Sequence, residues 1–491
     1  MIKQGLDYVF NPKSVAIVGV STRGMGLQQA TATVSLESLL NCGFGGKIYP
    51  VNPKGGEISG LKIYPDVKDI PGSVDYVICG ISAPQVPQLI TDCIAKGVKA
   101  VHIITSGFSE SGTKEGEQLQ QEVFSLARRN GICIVGPNCM GAYCPKTGLS
   151  FGPDFPKESG SVAVISQSGG NSFYTIREGF RRGIRFSKVI SYGNACDVDE
   201  SDLLEYLACD SDTKVIAAYI EGVNDGRRFY QVLKETAKAK PVIVLKGGIT
   251  EAGARAAASH TGALAGSSKL WDSLLHQAGA IHVCSLEELV DMVVTFSRLS
   301  VPSGRDLGIL GVGGGATVLA TDVCTSAGLA VPRFPIEIQA KLRGYLKKGS
   351  IGVSLNNPVD LSDQGWDISY DCAKIMLDYG GVDLLIFQLP VGIFVRFSAG
   401  IYSAIISIIE DVIKIHKESD KPMAIVIHSP VSGKTYQLAL DCERKCCDVG
   451  LPVYHSLTNA AKAIARFVDY HERRRRMLGE SYFTLPNSLS S

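Results

Sequence analysis

The sequence contains no long apolar run. No uninterrupted apolar stretch approaches the ~18 residues that a transmembrane helix needs. The first residues, MIKQGLDYVFNPKS, lack the apolar region of a secretory signal peptide. We therefore expect a cytoplasmic protein that has no membrane partner.

The chain also lacks an excess of charge of either sign. Its formal net charge is +1 over 491 residues, of which 20% are charged and 45% hydrophobic. A near-neutral balance argues against nucleic acid as a partner, and the composition is that of a globular protein. The length accommodates about three domains.

Metal-ligand patterns are missing as well. The chain has fourteen cysteines, but no C-x-x-C pair and no histidine at ligand spacing. We therefore expect no metal on this chain, and thiols rather than disulfides in a reducing compartment. The one adjacent pair, Cys446 and Cys447, lies in the charged stretch ERKCCD, which favours a helix surface.

What the chain does have is a regular alternation of short apolar runs and helix-length segments. Residues 14–20 are typical of a buried strand that leads into a glycine-bearing turn and a helix start. Such a junction binds anions, because amide N–H groups and the helix dipole converge there. Further strand-like runs follow at residues 47–51, 74–80, 100–106 and 132–136. This alternation predicts a parallel, doubly wound, Rossmann-like domain over residues 1–150.

The ligand of this first domain is indicated by its turns. Gly19 and Ser21 begin only a weak relative of the dinucleotide fingerprint, and the second strand ends at Lys54 rather than at an acidic residue. A lysine suits a phosphate, which disfavours NAD and favours coenzyme A (CoA). Two later turns, residues 81–84 and 136–138, also follow strands, where ligands of such sheets bind. From these residues alone, a Rossmann domain without a ligand remains the alternative.

A second flavodoxin-like domain is predicted over residues 156–300. Residues 161–166 form a strand that runs into Gln167-Ser168-Gly169-Gly170-Asn171, another strand-to-helix anion turn. Later strands are predicted at residues 188–191, 214–220, 242–246 and 280–284. Glu221 follows the third strand of this domain and therefore lies at the same sheet edge as the anion turn.

The most unusual segment is residues 251–268, EAGARAAASHTGALAGSS. His260 is its only ring, among small side chains that let a backbone approach a ligand and let a loop move as a unit. Glu221 beside it would fix the imidazole tautomer and support its cation. The alternatives are an ordinary surface histidine at an Ala/Gly-rich helix start and an ordinary surface acid.

A third unit, residues 304–480, repeats the strand-to-glycine-turn pattern. Residues 307–312 read as a strand, and Gly314 and Gly315 lie where a helix opens. Either this is a second helix N-terminus aimed at an anion, or it is a plain glycine-rich turn. Further strands are predicted at residues 383–389, 423–428 and 452–454, and helices at 401–416 and 459–477.

These motifs resemble the α-type subunits of ADP-forming acyl-CoA synthetases, relatives of succinyl-CoA synthetase. The resemblance covers nearly the whole chain and is carried by SVAIVGVSTRGMG, KIYPVNPKG, SGFSESG, GPNCMG, VAVISQSGG, YIEGVNDGRRF, LKGGITEAGARAAASHTGALAGS, GGGATVLATD and NPVDL. It implies an α/β chain with a Rossmann-like CoA-binding domain followed by two flavodoxin-like ligase domains. It also implies reversible synthesis of acyl-CoA from an acid, CoA and ATP, by way of an acyl phosphate and a phosphohistidine.

The resemblance assigns roles residue by residue. It implies that His260 is the phosphorylated residue and that Glu221 is its partner. The phosphate positions that it implies are Ser166, Ser168, Gly169, Gly170, Gly314 and Gly315. The CoA positions that it implies are Gly19, Ser21, Lys54, Ala83, Pro84 and Asn138.

Two departures and two alternatives accompany this interpretation. No stretch resembles an ATP-grasp module, so ATP or ADP and its magnesium are expected on a separate β-type subunit, within a hetero-oligomer. Val312 stands where many relatives carry Asn.

The alternatives are a CoA-dependent acyl or carbamoyl transferase without nucleotide chemistry and a non-catalytic CoA-binding regulator. The intact histidine segment, together with Glu221, argues against both.

Overall fold

The structure is a computed structural model, and its described residues fall into two compact units. Unit 1 comprises Met1–Phe180 and Ile184–Leu289, and unit 2 comprises Arg181–Gly183 and Val290–Ser491. The residues that it describes are 2–21, 27–255, 268–311, 314–346, 354–361, 368–391, 401–428 and 433–478.

A five-stranded parallel sheet forms the first part of unit 1. Its strands lie in the order β2-β1-β5-β6-β7, and every residue of β1, β5 and β6 is buried. Because β1 lies inside the sheet with later strands on one side and β2 on the other, the sheet is doubly wound as predicted. The strands are β1 Ser14–Val18, β2 Lys47–Val51, β5 Tyr76–Cys79, β6 Ala100–Ile103 and β7 Cys133–Val135, and a hairpin of β3 Gly56–Ile58 and β4 Leu61–Ile63 follows β2. The helices are α1 Ile2–Phe10, α2 Leu27–Cys42, α3 Val86–Lys96 and α4 Lys114–Arg129.

A six-stranded sheet forms the second part of unit 1. Its order is β13-β12-β11-β9-β10-β8, and all neighbours are parallel except β8, which pairs antiparallel with β10. The strands are β8 Gly141–Tyr143, β9 Ser159–Ser166, β10 Phe186–Ser191, β11 Val215–Ile220, β12 Val242–Lys246 and β13 Ile281–Val283. The helices are α5 Gly169–Arg181, α6 Glu200–Ala208, α7 Gly226–Ala239 and α8 Ser268–Ala278, and α9 Leu286–Arg298 begins in unit 1 and continues into unit 2.

The two sheets of unit 1 are joined where β7 ends. The Cys196 amide donates to the Gly136 carbonyl at 3.1 Å, and the Val198 amide donates to the Ile134 carbonyl at 3.2 Å. Asp197 Oδ2 accepts the Ile134 amide at 2.9 Å. Side chains of both sheets also belong to one apolar core. The loop that carries Asn138 is therefore fixed against the loop that follows β10.

A five-stranded parallel sheet lies in unit 2, in the order β15-β14-β16-β17-β18. Buried Asn357 supports its centre, because its side chain accepts the Ile309 amide at 2.9 Å and donates to the Leu307 carbonyl at 2.6 Å. The strands are β14 Leu307–Gly311, β15 Val359–Asp360, β16 Leu384–Leu389, β17 Met423–Ile427 and β18 Val453–Tyr454. The helices are α10 Gly314–Ser326, α11 Ile336–Arg343, α12 Ser369–Asp378, α13 Ile401–Glu418, α14 Gly433–Asp448 and α15 Leu457–Leu478.

All fourteen cysteines are free thiols, as predicted. The predicted surface position of Cys446 and Cys447 is wrong, because both are buried in the core of unit 2. Cys446 continues the spacing of four that Leu438 and Cys442 begin on α14, so these side chains share one buried helix face.

Two further observations concern only the parts of the chain that the structure describes. Among those residues, no helix is long and apolar enough to cross a membrane. No group of three or more His, Cys, Asp or Glu side chains there is arranged to hold a metal ion.

Candidate active site

The first predicted anion turn is the junction of β9 and α5. Ser166 Oγ donates to the Ser168 carbonyl at 2.7 Å and accepts the Ser168 amide at 3.2 Å. Ser168 Oγ accepts the Asn171 amide at 3.3 Å, so Ser168 caps the helix. The amides of Gly169 and Gly170 occupy the first helical positions, which have no partner inside a helix. The two serines therefore shape a turn that presents glycine amides at the edge of the sheet.

The two glycines of this turn differ in how closely protein surrounds them. A Cβ added to Gly169 would lie 2.6 Å from Met140 Cγ, whereas one added to Gly170 would find only Ser168 Oγ, at 3.9 Å. Met140 is itself held by its amide, which donates to Ser191 Oγ at 3.2 Å. Gly169 is thus needed for packing, while the described protein leaves space above Gly170.

Glu221 lies next to this turn, as the sequence predicts for loops at one sheet edge. Gln167 Oε1 accepts the backbone amides of Glu221 and of Gly222, the second at 3.0 Å. The backbone amide of Gln167 in turn donates to the Tyr219 carbonyl at 3.1 Å. Glu221 is only 5% exposed. A single glutamine side chain therefore ties the Glu221 loop to the anion turn.

The carboxylate of Glu221 is connected to the helix start through Tyr219. The Tyr219 hydroxyl hydrogen-bonds the Glu221 side chain and the Asn171 side chain. Burial, and then the neighbouring carboxylate, raise the pKa of Tyr219 to about 12, so the phenol stays protonated and donates to Glu221 at neutral pH. A Cβ on Gly247 would lie 2.6 Å from the Tyr219 hydroxyl oxygen, so this glycine makes room for the ring.

His260 lies outside the described residues, so its role stays a prediction. The described chain reaches residue 255 on one side and resumes at Ser268, where α8 begins. On the upstream side, Thr250 Oγ1 accepts the Gly253 amide at 3.0 Å, at the start of a helical turn over residues 251–255. The segment that carries His260 therefore leaves from the end of β12, the strand next to β11 and Glu221.

The predicted CoA residues lie along the carboxyl edge of the first sheet. Gly19 has φ +101°, and an added Cβ would lie 2.8 Å from the Gly80 carbonyl oxygen, so only glycine fits between β1 and β5. Ser21 follows it, with its amide donating to Thr33 Oγ1 at 3.1 Å.

Two more of these residues follow β2 and β5. Lys54 is exposed, and its amide donates to Asn52 Oδ1 at 3.0 Å. Asn52 Nδ2 reaches across the edge and donates to the Val20 carbonyl at 2.7 Å. Ala83 and Pro84 begin a short 3-10 turn after β5, in which Ala83 is buried. Turns after β1, β2 and β5 therefore line one side of the edge.

Asn138 occupies the edge where the two sheets of unit 1 meet. It adopts φ +58°, its amide donates to the Thr105 carbonyl at 3.0 Å, and its side chain lies 3.5 Å from Asn194 Oδ1. The buried ring of His102 holds the following residue, Cys139, because its Nε2 lies 3.1 Å from the Cys139 carbonyl oxygen. The arrangement brings Asn138 to the loop that follows β10, while Ser166 anchors that loop by accepting the Tyr192 amide at 3.0 Å.

The second predicted anion turn lies in unit 2. Gly314 and Gly315 are the first residues of α10, which follows β14. Val312, the residue that stands where many relatives carry Asn, lies outside the described residues. The predicted strand and helix on either side of this junction are therefore present, and the role of the helix start as a phosphate site stays a prediction.

Three residues of this site were not predicted to have a role: Gln167, Tyr219 and Lys246. Tyr219 and Glu221 are two residues apart at the end of a strand, so they face the same side, and this spacing was a usable signal. Lys246 ends the otherwise apolar strand VIVLK, which was a second signal. Gln167 gives no signal in the sequence, because its partners are backbone amides 54 and 55 residues away.

Comparison with known proteins identifies the families of two parts of the chain. Residues 13–145 match the CoA binding domain family, and residues 159–296 match the succinyl-CoA ligase like flavodoxin domain family. The chain is 39% identical over 385 residues to the α subunit of ADP-forming acetate–CoA ligase II from Pyrococcus furiosus, which covers 78% of this chain and 81% of that relative.

Two further relatives extend the comparison. ADP-forming acetate–CoA ligase I from Archaeoglobus fulgidus is 39% identical over 359 residues, covering 72% of this chain and 50% of that relative. The solved acetyl-coenzyme A synthetase 1 of Ca. Korarchaeum cryptofilum, in complex with phosphate and ADP, matches with a TM-score of 0.80 and 31% identity, covering 98% of this chain and 99% of that chain.

The fold, the anion turn beside a buried glutamate and the matched domains define a CoA ligase of the succinyl-CoA synthetase superfamily. Within that class, the chain belongs to the family of α subunits of ADP-forming acyl-CoA synthetases.

Proposed function

We propose that this chain performs the acyl-transfer and phosphohistidine steps of reversible acyl-CoA synthesis, in which an acid, CoA and ATP give acyl-CoA, ADP and phosphate. The observation that carries the proposal is the hydrogen-bonded unit of Ser168, Gln167 and Glu221. Through these contacts, the start of α5 lies beside a buried carboxylate, at the edge of the sheet where β12 ends, and helix starts of this kind are suited to anions.

In the direction of ATP formation, the proposed reaction has three steps. A phosphate oxygen attacks the thioester carbonyl, the C–S bond breaks, and CoA leaves with acyl phosphate as the other product. An imidazole nitrogen of His260 then attacks phosphorus, and the bond between phosphorus and the acyl oxygen breaks to release the acid as a carboxylate. Finally, the terminal oxygen of ADP attacks phosphorus, and the P–N bond breaks to give ATP and free imidazole.

The residues around the anion turn have distinct tasks in these steps. The Gly169 and Gly170 amides, at the positive end of the helix dipole, hold the transferring oxygens, and Ser166 and Ser168 keep the turn in shape. Glu221, held by Tyr219, orients the imidazole and stabilises its cation. Gly314 and Gly315 provide a second helix start for the phosphoryl group.

The edge of the first sheet binds CoA in this proposal. Lys54 is exposed beside the β1 and β2 turns, where a cation meets the phosphates of the nucleotide end. Asn138 lies next to the second sheet, where the thiol end meets the anion turn. The remaining contacts are proposed to be Gly19, Ser21, Ala83 and Pro84.

The partner is proposed to be an ATP-grasp β-type subunit that binds the nucleotide and its magnesium. One relative named above is itself called an α subunit, and another is about twice the length that it shares with this chain. We also propose that the three sheets mark three domains, near 1–150, 156–300 and 304–480, and that the reaction is cytoplasmic. Fourteen free thiols are consistent with a reducing compartment.

The test is incorporation of labelled phosphate into the purified chain in the presence of acetyl-CoA, followed by a panel of longer and aromatic acyl-CoAs. We expect a label that is lost in acid and retained in base, absent from His260→Ala and strongly reduced in Glu221→Gln. The label should pass to ADP when the β-type subunit is added. A wild-type chain that takes no label from any acyl-CoA would overturn the proposal, and so would a label that persists in His260→Ala.

A further inference from the structure

Lys246 is a buried lysine at the end of β12. It is 3% exposed, every residue of β12 is buried, and its neighbour on β11 is Ile220. Lysine is almost never fully buried unless it is paired, because removing an ammonium group from water is costly. The position therefore needs an explanation beyond the packing of a strand.

The ammonium group connects three elements around the proposed site. Nζ donates to the Glu221 carbonyl at 2.7 Å and to the Gly247 carbonyl. It also lies 5.1 Å from the centre of the Trp271 ring on α8. Gly247 precedes the His260 segment and Trp271 follows it, so Lys246 holds the Glu221 loop against both ends of that segment.

These contacts do not account for the charge. Both hydrogen-bond partners are neutral carbonyls, and an aromatic face compensates a buried cation only in part. A methionine would fill much the same space without the cost of desolvation. The acidic group near the ammonium is the Glu221 side chain, which favours the charged form of Lys246. The cation therefore lies within electrostatic reach of the Glu221 carboxylate.

We propose that Lys246 is a positioning residue for phosphoryl transfer: its ammonium fixes the Glu221 loop to the base of the His260 segment and supplies a positive charge beneath the transferring group. This inference rests on the proposed function, since it assigns to Lys246 a task in the same site. The catalytic groups remain His260 and Glu221, through which Lys246 acts.

The charge of Lys246 should make the phosphorylation of His260 depend on pH. Burial lowers the pKa of Lys246 to about 8, and Glu221 offsets only part of this effect. The ring of Trp271, which also faces the ammonium group, carries no charge. Lys246 is therefore a cation below pH 8 and loses its charge above it. Phosphorylation of His260 should fall as the pH rises through about 8.

The first experiment measures the initial rate of label incorporation from phosphate and acyl-CoA between pH 6 and 10. We expect Lys246→Met to lower the rate at pH 7 by roughly tenfold to a hundredfold, because that is the effect of losing a hydrogen bond to a charged group. The same variant should no longer show the decline in rate at alkaline pH. Lys246→Arg keeps its charge over the whole range, so its decline should be displaced beyond the upper end of this range. Lys234→Met, which removes an exposed lysine near the Tyr230 ring, is the matched control and should behave as the wild type.

The second experiment detects the charge of Lys246 without a measurement of activity. The chain has two tryptophans, so Trp366→Phe leaves Trp271 as the only emitter. We expect its emission to change with a midpoint near pH 8, and this transition to be absent when Lys246→Met is added. A Trp271 emission without a transition between pH 6 and 10 would overturn the assignment of the charge.

The outcomes separate this inference from the proposed function. If the wild type takes label and Lys246→Met matches its rate and pH profile, the positioning role is overturned while the proposed function stands. If the wild type takes no label at all, the proposed function fails, and the positioning role fails with it, whatever the fluorescence reports. If Lys246→Met does not fold, Lys246→Arg decides: a decline that stays near pH 8 overturns the role of Lys246, and a displaced decline supports it.

Discussion

The two glycines at the start of α5 allow packing and ligand approach to be tested separately. In Gly169→Ala, the new methyl group would lie 2.6 Å from Met140 Cγ, which is too close for any real contact, so the thioether chain must shift. Overpacking of this kind costs about 1–3 kcal/mol of stability, and the lower end applies because Met140 is flexible.

Gly170→Ala should behave in the opposite way. Its nearest neighbour would be 3.9 Å distant, and neither glycine has a positive φ. The alanine should leave the folded state unstrained and raise stability by about 0.4–1 kcal/mol, because it restricts the unfolded chain. The same methyl group would occupy the space in which phosphate approaches the amides, so labelling by phosphate should fall roughly 100-fold.

Urea unfolding, followed by Trp271 emission in the Trp366→Phe background, measures both stabilities. Adding Met140→Ala to Gly169→Ala should recover part of the loss, since the clashing atom is gone. The reasoning would be refuted if Gly169→Ala matched the wild type in stability. It would equally be refuted if Gly170→Ala took label at the wild-type rate, because phosphate would then not lie over this turn.

Three further changes test other parts of the arrangement. Tyr219→Phe removes the hydroxyl donor of Glu221, so we expect about 1–3 kcal/mol of lost stability in urea and at least roughly tenfold slower labelling, and equal rates would contradict the network. Lys54→Ala should weaken CoA binding in calorimetry and reduce its salt dependence, whereas an unchanged affinity would remove this lysine from the site. His102 is buried and neutral, with its pKa lowered to about 4 by burial. The unfolded chain takes up this proton first, so stability should fall as the pH drops from about 6.5 to 4, by on the order of 3 kcal/mol. His102→Gln can still donate to the Cys139 carbonyl and should lack this part of the acid sensitivity, and an unchanged acid profile would exclude the histidine as its source.

The sheets were predictable because their strands are apolar runs bounded by turns. The prediction for β12, residues 242–246, has the observed bounds, while the prediction for β1 ran two residues too far, to residue 20. The excess arises because Gly19 and Val20 are small or apolar, although the chain has already left the sheet at Gly19, which has a positive φ. Local composition cannot distinguish a buried strand from the buried residues that follow it.

The site was predictable only in part, for a related reason. Ser168 and Glu221 follow strands, so the rule that ligands bind at strand carboxyl ends placed them at one edge. The Gln167 contact that joins their loops depends on the tertiary arrangement of β9 and β11, which no short pattern encodes. The burial of Cys446 was available from its spacing to Leu438 and Cys442, but the charged neighbours in ERKCCD hid it.

The antiparallel strand β8 has a consequence for dividing this protein. Gly141–Tyr143 comes immediately after the Asn138 loop, within the predicted first domain, yet it covers β10 at the margin of the second sheet. A fragment cut at residue 150 would carry this strand away and expose the unpaired backbone of Val189 and Ile190 to other chains. We therefore expect the second fragment, expressed separately, to aggregate through β10. Exchanging CoA-binding modules between related enzymes should succeed only when β8 stays with the sheet that it completes.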